Sequence, residues 1–217
     1  NGIPLNDAES MGSFFVNLPD FASSTESIQI QRGIGTSTNG SGAFGGSINI
    51  QSETLARDSY AEINNSFGSY NTWKNTFKVG SGLINDKFAF NARLSRISTD
   101  SYIDRATADL KSFYVDAGYY GLKHQLKATI FSGKEKTYQA WDGVPAEKLE
   151  EDRTYNVFTY PNQTDNYTQT HHHLHYSYFA SENTSYNVAL HYTRGKGYYE
   201  EYKKNEQFSK YGFSPIN

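Results

Sequence analysis

The chain has 217 residues, no cysteine and a formal net charge of -3, so thiolate metal sites and disulfides are excluded and a basic nucleic-acid surface is disfavoured. Tyrosine and phenylalanine are abundant, with 18 and 14 copies, yet the mean hydropathy is only -0.71. No apolar run reaches the ~18 residues of a membrane-spanning helix. This balance favours an all-β protein whose strands each have one polar and one aromatic-rich face.

The first distinctive stretch is the glycine-rich IQIQRGIGTSTNGSGAFGGSINI at residues 28–50. A nucleotide-binding loop needs G-x-G-x-x-G opening a helix, or Gly-Lys-Ser/Thr at its end, and neither occurs here. An apolar alternation at Ile28 and Ile30, a long permissive turn and a second alternation at residues 47–51 instead predict a β-hairpin.

From about residue 59 the sequence becomes a series of period-two segments, which predict strands with one polar and one apolar face. Seven such strands are predicted, each near the ~9 to 11 residues that cross a bilayer obliquely. The apolar faces would form a lipid-facing band containing Phe88, Phe90, Leu94, Val115, Leu126, Ile130, Val188 and Leu190.

The connections between these strands alternate between short and long, which is typical of outer-membrane barrels. The short connections are residues 83–87, 121–123 and 181–185, and the long ones are residues 98–111, 134–168 and 198 onward. The connection at residues 68–71 belongs to the long set by its position but is predicted to be a tight turn. Because seven strands cannot close an ordinary barrel, the chain is predicted to be an internal piece of a larger barrel protein.

Three histidines, His171, His173 and His175, would share one face of a strand with neighbours ~7 Å apart. One metal ion cannot easily reach three collinear ligands, so a polar column facing the lumen is favoured over a metal site. The sequence also lacks G-x-S-x-G, H-E-x-x-H and a cysteine nucleophile, so neither an enzyme nor a bound cofactor is predicted.

The pattern I-x-I-x-R-G followed by S-G-A-F-G-G-S-I-N-I resembles the end of the plug domain of TonB-dependent outer-membrane receptors. Upstream, NGIPLN at residues 1–6 and FVNLP at residues 15–19 resemble earlier plug segments, so the match covers nearly all of residues 1–52. One departure is Gln29, since the family often has an acidic residue there.

The resemblance implies an all-β fold with two parts. Residues 1–55 would be the C-terminal part of the plug, and residues 56–217 would be the first strands and loops of a transmembrane antiparallel β-barrel. The seven strands would then be part of the ~22 expected in the family.

The resemblance also implies two groups of functional residues. The predicted plug–barrel contacts are Arg32, Gly33, Gly45 and Gly46, and the ligand-binding candidates in the loops are Tyr138, Trp141, Asp142, Tyr198 and Tyr199. Glycines permit close backbone approach to the barrel wall, and guanidinium suits a confined ion pair. Turn formation and loop packing are equally good interpretations of the loop residues.

The function implied by the resemblance is import of a scarce nutrient across the bacterial outer membrane by a multi-pass barrel, with a ferric siderophore as the first choice. The expected partners are a TonB-type energy-coupling protein, acting through a segment absent here, and outer-membrane lipid. Two alternatives stay open at this point. One is a glycan or peptide importer working with a surface lipoprotein, and the other is a non-transporting, β-rich surface adhesin.

Overall fold

The computed structural model describes residues 1–7, 10, 12–34 and 45–214. In these residues the chain is all-β, with nine strands in two antiparallel sheets and a few single-turn 3₁₀ segments. No described helix is both long enough and apolar enough to cross a membrane.

The first sheet is a hairpin of β1, Thr25–Arg32, and β2, Gly46–Ser52. Its register places Ile28 opposite Ile50 and Ile30 opposite Ile48, which confirms the hairpin predicted from the two apolar alternations. The glycine-rich turn between the strands lies largely in residues 35–44, outside the described residues. Two 3₁₀ turns, Phe15–Asn17 and Phe21–Ser24, lead into the hairpin.

The second sheet, which we call the wall, confirms the seven strands predicted from the period-two pattern. Each strand pairs with the next in the chain, so the order is β3-β4-β5-β6-β7-β8-β9. The strands are β3 Ser59–Gly68, β4 Thr72–Ser81, β5 Phe88–Thr99, β6 Ala108–Tyr120, β7 His124–Tyr138, β8 Thr164–Ser181 and β9 Thr184–Tyr199. In the described chain, β3 and β9 pair along one side only.

The two faces of the wall have the opposite polarity to a soluble sheet. The inner face, which contacts the hairpin-bearing segment, buries mainly polar side chains, among them Thr76, Arg93, Asp116 and His171. The outer face exposes large apolar side chains in the predicted band, including Phe88, Phe90, Leu94, Leu126, Ile130, Val188 and Leu190. This arrangement is expected for a sheet whose outer face meets lipid.

The two ends of the wall differ in the length of their connections, as the sequence predicted. One end, the turn rim, has the short turns at residues 82–87, 121–123 and 182–183. The other end, the loop rim, has the tight turn at 69–71 and the connections at 100–107 and 139–163.

The strands reach further toward the loop rim than the sequence predicted. The predicted loops at residues 98–111 and 134–168 are shorter, because β7 extends to Tyr138 and β8 begins at Thr164. Near this rim both faces of the wall are polar, so the apolar alternation that marks a strand disappears while the backbone pairing continues.

Candidate functional site

Asp20 makes a buried, charged contact between the hairpin-bearing segment and the wall. This residue lies between the two 3₁₀ turns with φ 55° and ψ 25°, a left-handed conformation that Asp adopts more readily than most residues. The conformation directs the carboxylate into the wall, where only 3% of the side chain is exposed. We call residues 17–24 the docking turn.

Four inner-face side chains on β4 and β5 surround the Asp20 carboxylate. Lys74 Nζ lies 2.5 Å from Oδ1, and Arg93 Nη1 lies 3.2 Å from Oδ2. The hydroxyls of Thr76 and Ser95 donate to Oδ2 at 2.8 and 2.6 Å. Arg93 Nη1 also donates to the Asp20 backbone carbonyl. The wall therefore binds both the side chain and the backbone of the docking turn.

This environment decides the charge of Asp20. Burial raises the pKa of the carboxyl, but hydrogen bonds from Lys74, Ser23, Ser95 and Thr76 outweigh that effect and lower the pKa to about 2. The carboxylate is therefore ionised at neutral pH and compensates the buried Arg93 guanidinium. Removing one partner of such a pair typically costs about 3–5 kcal/mol, because the other charge stays buried and uncompensated.

An apolar contact sits beside this ion pair. The Phe21 ring lies 5.0 Å from the Phe131 ring and 6.3 Å from the Tyr114 ring, both on the inner face. On β7, Gly133 leaves room for the docking turn, since a Cβ there would overlap the Asn17 carbonyl and lie 2.5 Å from Pro19 Cδ.

We expect Gly133→Ala to displace the docking turn, because its methyl group would collide with the backbone of residue 17. Overpacking of this kind costs about 1–3 kcal/mol. The measurement is protease accessibility of the docking turn in the assembled full-length protein, with Gly143→Ala as control because a Cβ there meets nothing within 4 Å. Equal protection in both variants would contradict the contact.

A second contact joins the wall to residues 53–55, which follow the hairpin and which we call the tether. Lys78 Nζ on β4 lies 2.5 Å from Glu53 Oε1, and Lys127 Nζ on β7 donates to the Glu53 carbonyl at 3.2 Å. Leu55 Cδ1 would lie 2.5 Å from a Cβ at Gly118, so this glycine admits the leucine side chain.

The four predicted plug–barrel residues are all in or beside the hairpin. Arg32 is exposed at the end of β1 and forms no ion pair with a described residue. Gly33 has φ +74° and donates its N–H to the Gly45 carbonyl at 3.0 Å. Gly46 approaches the Gln31 carbonyl of β1, because a Cβ there would lie 2.8 Å from that oxygen. The contact of these four residues with the barrel stays a prediction.

Among the ligand candidates, two are brought together at the loop rim. The Trp141 ring lies 5.6 Å from the Tyr199 ring and 6.3 Å from the Phe158 ring, and Trp141 is 58% exposed. Asp142 and Tyr198 are also exposed. We call Trp141, Phe158 and Tyr199 the aromatic cluster.

Tyr138 has a different environment from the other candidates. It is buried, and its hydroxyl donates to the Tyr160 carbonyl at 2.7 Å, so the side chain holds the loop in position. Tyr160 in turn stacks on Tyr202, with ring centroids 5.2 Å apart. These contacts order the aromatic surface of the loop rim.

The three histidines lie on the inner face as a polar column. His171 stacks on Phe131 at 4.5 Å and its Nδ1 is 3.0 Å from Thr193 Oγ1. His173 lies edge-on to His171, with centroids 6.0 Å apart. In the described residues, no group of three His, Cys, Asp or Glu side chains is arranged to hold a metal ion.

The fold of the described residues, a sheet with a polar inner face and an apolar outer face and a segment that contacts the inner face, is similar to the fold of TonB-dependent outer-membrane receptors. No protein-family model matches the chain.

Three solved receptors illustrate this fold. The ferric-catecholate import receptor Fiu from E. coli K12, in its open form, superimposes with a TM-score of 0.69 at 18% identity over 86% of this chain. The siderophore receptor PiuA from Acinetobacter baumannii gives 0.69 at 13% identity over 80%. The ferric citrate transporter FecA, unliganded, gives 0.62 at 18% identity over 76%. This chain spans 30%, 26% and 27% of those proteins.

Proposed function

We propose that this chain is part of an outer-membrane receptor that imports a ferric siderophore by rearrangement of the plug. The observation that carries the proposal is the docking turn, which an ion pair and hydrogen bonds attach to the polar inner face of an apolar-backed wall. Such a contact holds a plug in place yet can be exchanged for water, whereas a dry apolar contact would resist opening.

In the proposed cycle, ligand binds at the loop rim and biases the plug toward a released state. A TonB-type energy-coupling protein then supplies the force that separates docking turn and wall. A ligand can shift this equilibrium only by its difference in affinity for the two plug states. The chain's own role is to hold the closed state through Asp20 and Glu53 and to present the loops.

Two observations bear on the identity of the cargo. The similar solved receptors are described as ferric-catecholate, siderophore and ferric citrate proteins. The aromatic cluster gives the loop rim exposed rings that can stack on a planar organic chelator. The similar receptors favour an iron chelate over a peptide, and the aromatic cluster is compatible with such a ligand.

Uptake of labelled iron by cells producing the full-length protein tests the proposal. We expect uptake from a ferric catecholate or ferric citrate, and Trp141→Ala should weaken chelate binding about tenfold or more, as expected for an exposed aromatic anchor. Trp73→Ala is the matched control, because this tryptophan lies on the outer face of the wall.

Three outcomes would count against this function. If cells took up iron from neither the ferric catecholate nor the ferric citrate, the proposed iron transport would be contradicted. Import of an oligosaccharide or peptide together with a surface lipoprotein would favour a different cargo for the same fold. Recovery of the protein as a secreted, soluble molecule would favour an adhesin.

A further inference from the structure

Two connections at the loop rim are joined to each other by hydrogen bonds. They are residues 100–107 between β5 and β6, which we call the short loop, and residues 139–163 between β7 and β8, which we call the long loop. The backbone N–H of Asp104 in the short loop donates to the Thr154 carbonyl of the long loop at 2.8 Å. The two loops therefore share a hydrogen-bonded boundary, although they connect different pairs of strands.

Arg105 of the short loop binds the backbone of the long loop at two points. Its Nε donates to the Phe158 carbonyl at 3.0 Å, and its Nη2 donates to the Asn156 carbonyl at 2.9 Å. One planar guanidinium thus fixes two carbonyls that are two positions apart. Phe158 belongs to the aromatic cluster, where its ring lies 6.3 Å from the Trp141 ring. The backbone that carries this ring is therefore held by a side chain of the other loop.

Asn156 adds a second link at the same place. The residue is only 3% exposed, and its Nδ2 donates to the carbonyls of Asp104 and Gln139 at 2.9 and 3.0 Å. Its Oδ1 accepts a hydrogen bond from the Phe158 backbone N–H at 3.0 Å. A buried amide needs protein partners because it has lost those of water, so these bonds favour one loop conformation. Asn156 and Arg105 thus act on the same stretch of backbone.

The backbone of Arg105 indicates that its side chain is needed at this position. Its φ is 64°, in the left-handed region that glycine adopts readily and that a residue with a Cβ avoids. Among the described residues, the acceptors of its guanidinium are two carbonyls and no carboxylate. Glycine would fit this turn with less strain, but it could not hold the long loop.

We propose that Arg105 is a positioning residue for ligand binding, because it holds Phe158, and with it the aromatic cluster, in the arrangement that receives the chelate. The inference rests on the proposed function and requires no contact between Arg105 and the ligand. A site that is already ordered loses less conformational entropy on binding than a mobile loop does. If only a fraction of the molecules has the ordered loop, the apparent dissociation constant rises by the inverse of that fraction.

The experiment measures binding of iron-labelled ferric catecholate and ferric citrate to the full-length protein in detergent by equilibrium dialysis. Arg105→Ala is expected to weaken binding about tenfold. Hydrogen exchange at the Phe158 amide of the ligand-free protein should accelerate in the same variant. Arg153→Ala is the matched control, because Arg153 is an exposed arginine of the long loop whose side chain makes no ion pair with a described residue. It should bind like the parent protein.

A double-mutant cycle with Trp141→Ala separates positioning from a general loss of structure. If Arg105 acts through the aromatic cluster, Arg105→Ala should have little further effect once the Trp141 ring is gone, so the two losses should not add. Asn156→Asp is a second variant of unchanged size that replaces the two donated hydrogen bonds by repulsion between oxygens. It should weaken binding in the same way as Arg105→Ala.

Three results would overturn the positioning role. They are unchanged binding or exchange in Arg105→Ala, additive losses in the cycle, and a loss that disappears in ~0.5 M salt, which would indicate that Arg105 attracts an anionic chelate by its charge. The proposed function fails in a different way. A parent protein that binds neither chelate contradicts that function, whereas parent-like binding by Arg105→Ala contradicts only the role of Arg105.

Discussion

Asp20→Asn is expected to release the docking turn from the wall while leaving the barrel folded. The amide preserves the size of the side chain and tolerates the left-handed backbone, but the negative charge between Lys74 and Arg93 is lost. The expected cost is about 3–5 kcal/mol, because the Arg93 guanidinium remains buried without its counter-charge. Hydrogen exchange of residues 17–24 in the assembled full-length protein should then accelerate about a hundredfold or more.

Asp86→Asn is the matched control for this experiment. Asp86 also has a left-handed backbone, with φ 56°, but it lies exposed at the turn rim and makes no ion pair with a described residue. Its substitution should leave exchange in the docking turn unchanged. If Asp20→Asn behaved like this control, the ion pair would not be what holds the docking turn.

The same site has a defined response to pH. The pKa of Asp20 is lowered from 3.8 to about 2, so its contribution is complete above the unfolded-state pKa and is lost as the pH falls through the folded-state value. The docking turn should therefore stay attached at neutral and mildly acidic pH. Its loss should begin only below about pH 4.

Phe90→Arg is expected to prevent assembly of the full-length protein in the outer membrane. Phe90 lies exposed among the apolar rows of the outer face, and an arginine near the bilayer centre of a barrel costs about 2–4 kcal/mol. The measurement is the fraction of protein recovered as folded barrel from the outer membrane, scored by heat-dependent migration on a gel.

Ser98→Arg provides the comparison on the same strand and the same face. Ser98 lies beyond Arg96, toward the loop rim, where a charge costs only about 0–1 kcal/mol. Assembly should therefore be close to that of the parent protein. Normal assembly of both variants would contradict the assignment of the outer face to lipid.

The strands and faces of the wall could be predicted from the sequence because alternation is a local signal. Phe88, Phe90 and Leu94 on one side of β5, against Asn91 and Arg93 on the other, already distinguish the outer face from the inner face. The signal fades near the loop rim, where both faces are polar, so β7 was predicted to end too early and β8 was predicted to begin too late. Loss of apolar contrast, not loss of pairing, explains that error.

The docking turn could not be predicted in the same way. Asp20 is separated from Lys74 by 54 positions and from Arg93 by 73, so only the folded wall brings them together. Nothing in the local sequence distinguishes this aspartate from a turn residue. Arg93 offered a weak signal, since an arginine on a strand's inner face requires a partner. The identity of the residue that pairs with Arg93 depends on the tertiary structure.

The order of the two wall contacts along the chain limits how the hairpin can move. The docking turn precedes the hairpin and the tether follows it, and each is attached to the wall by its own ion pair, Asp20 with Lys74 and Glu53 with Lys78. Both cations belong to β4. The docking turn is attached to β5 as well, through Arg93, and the tether to β7, through Lys127. The hairpin is therefore held at both of its ends, and we expect that it can leave the wall only when the contacts at both ends are broken.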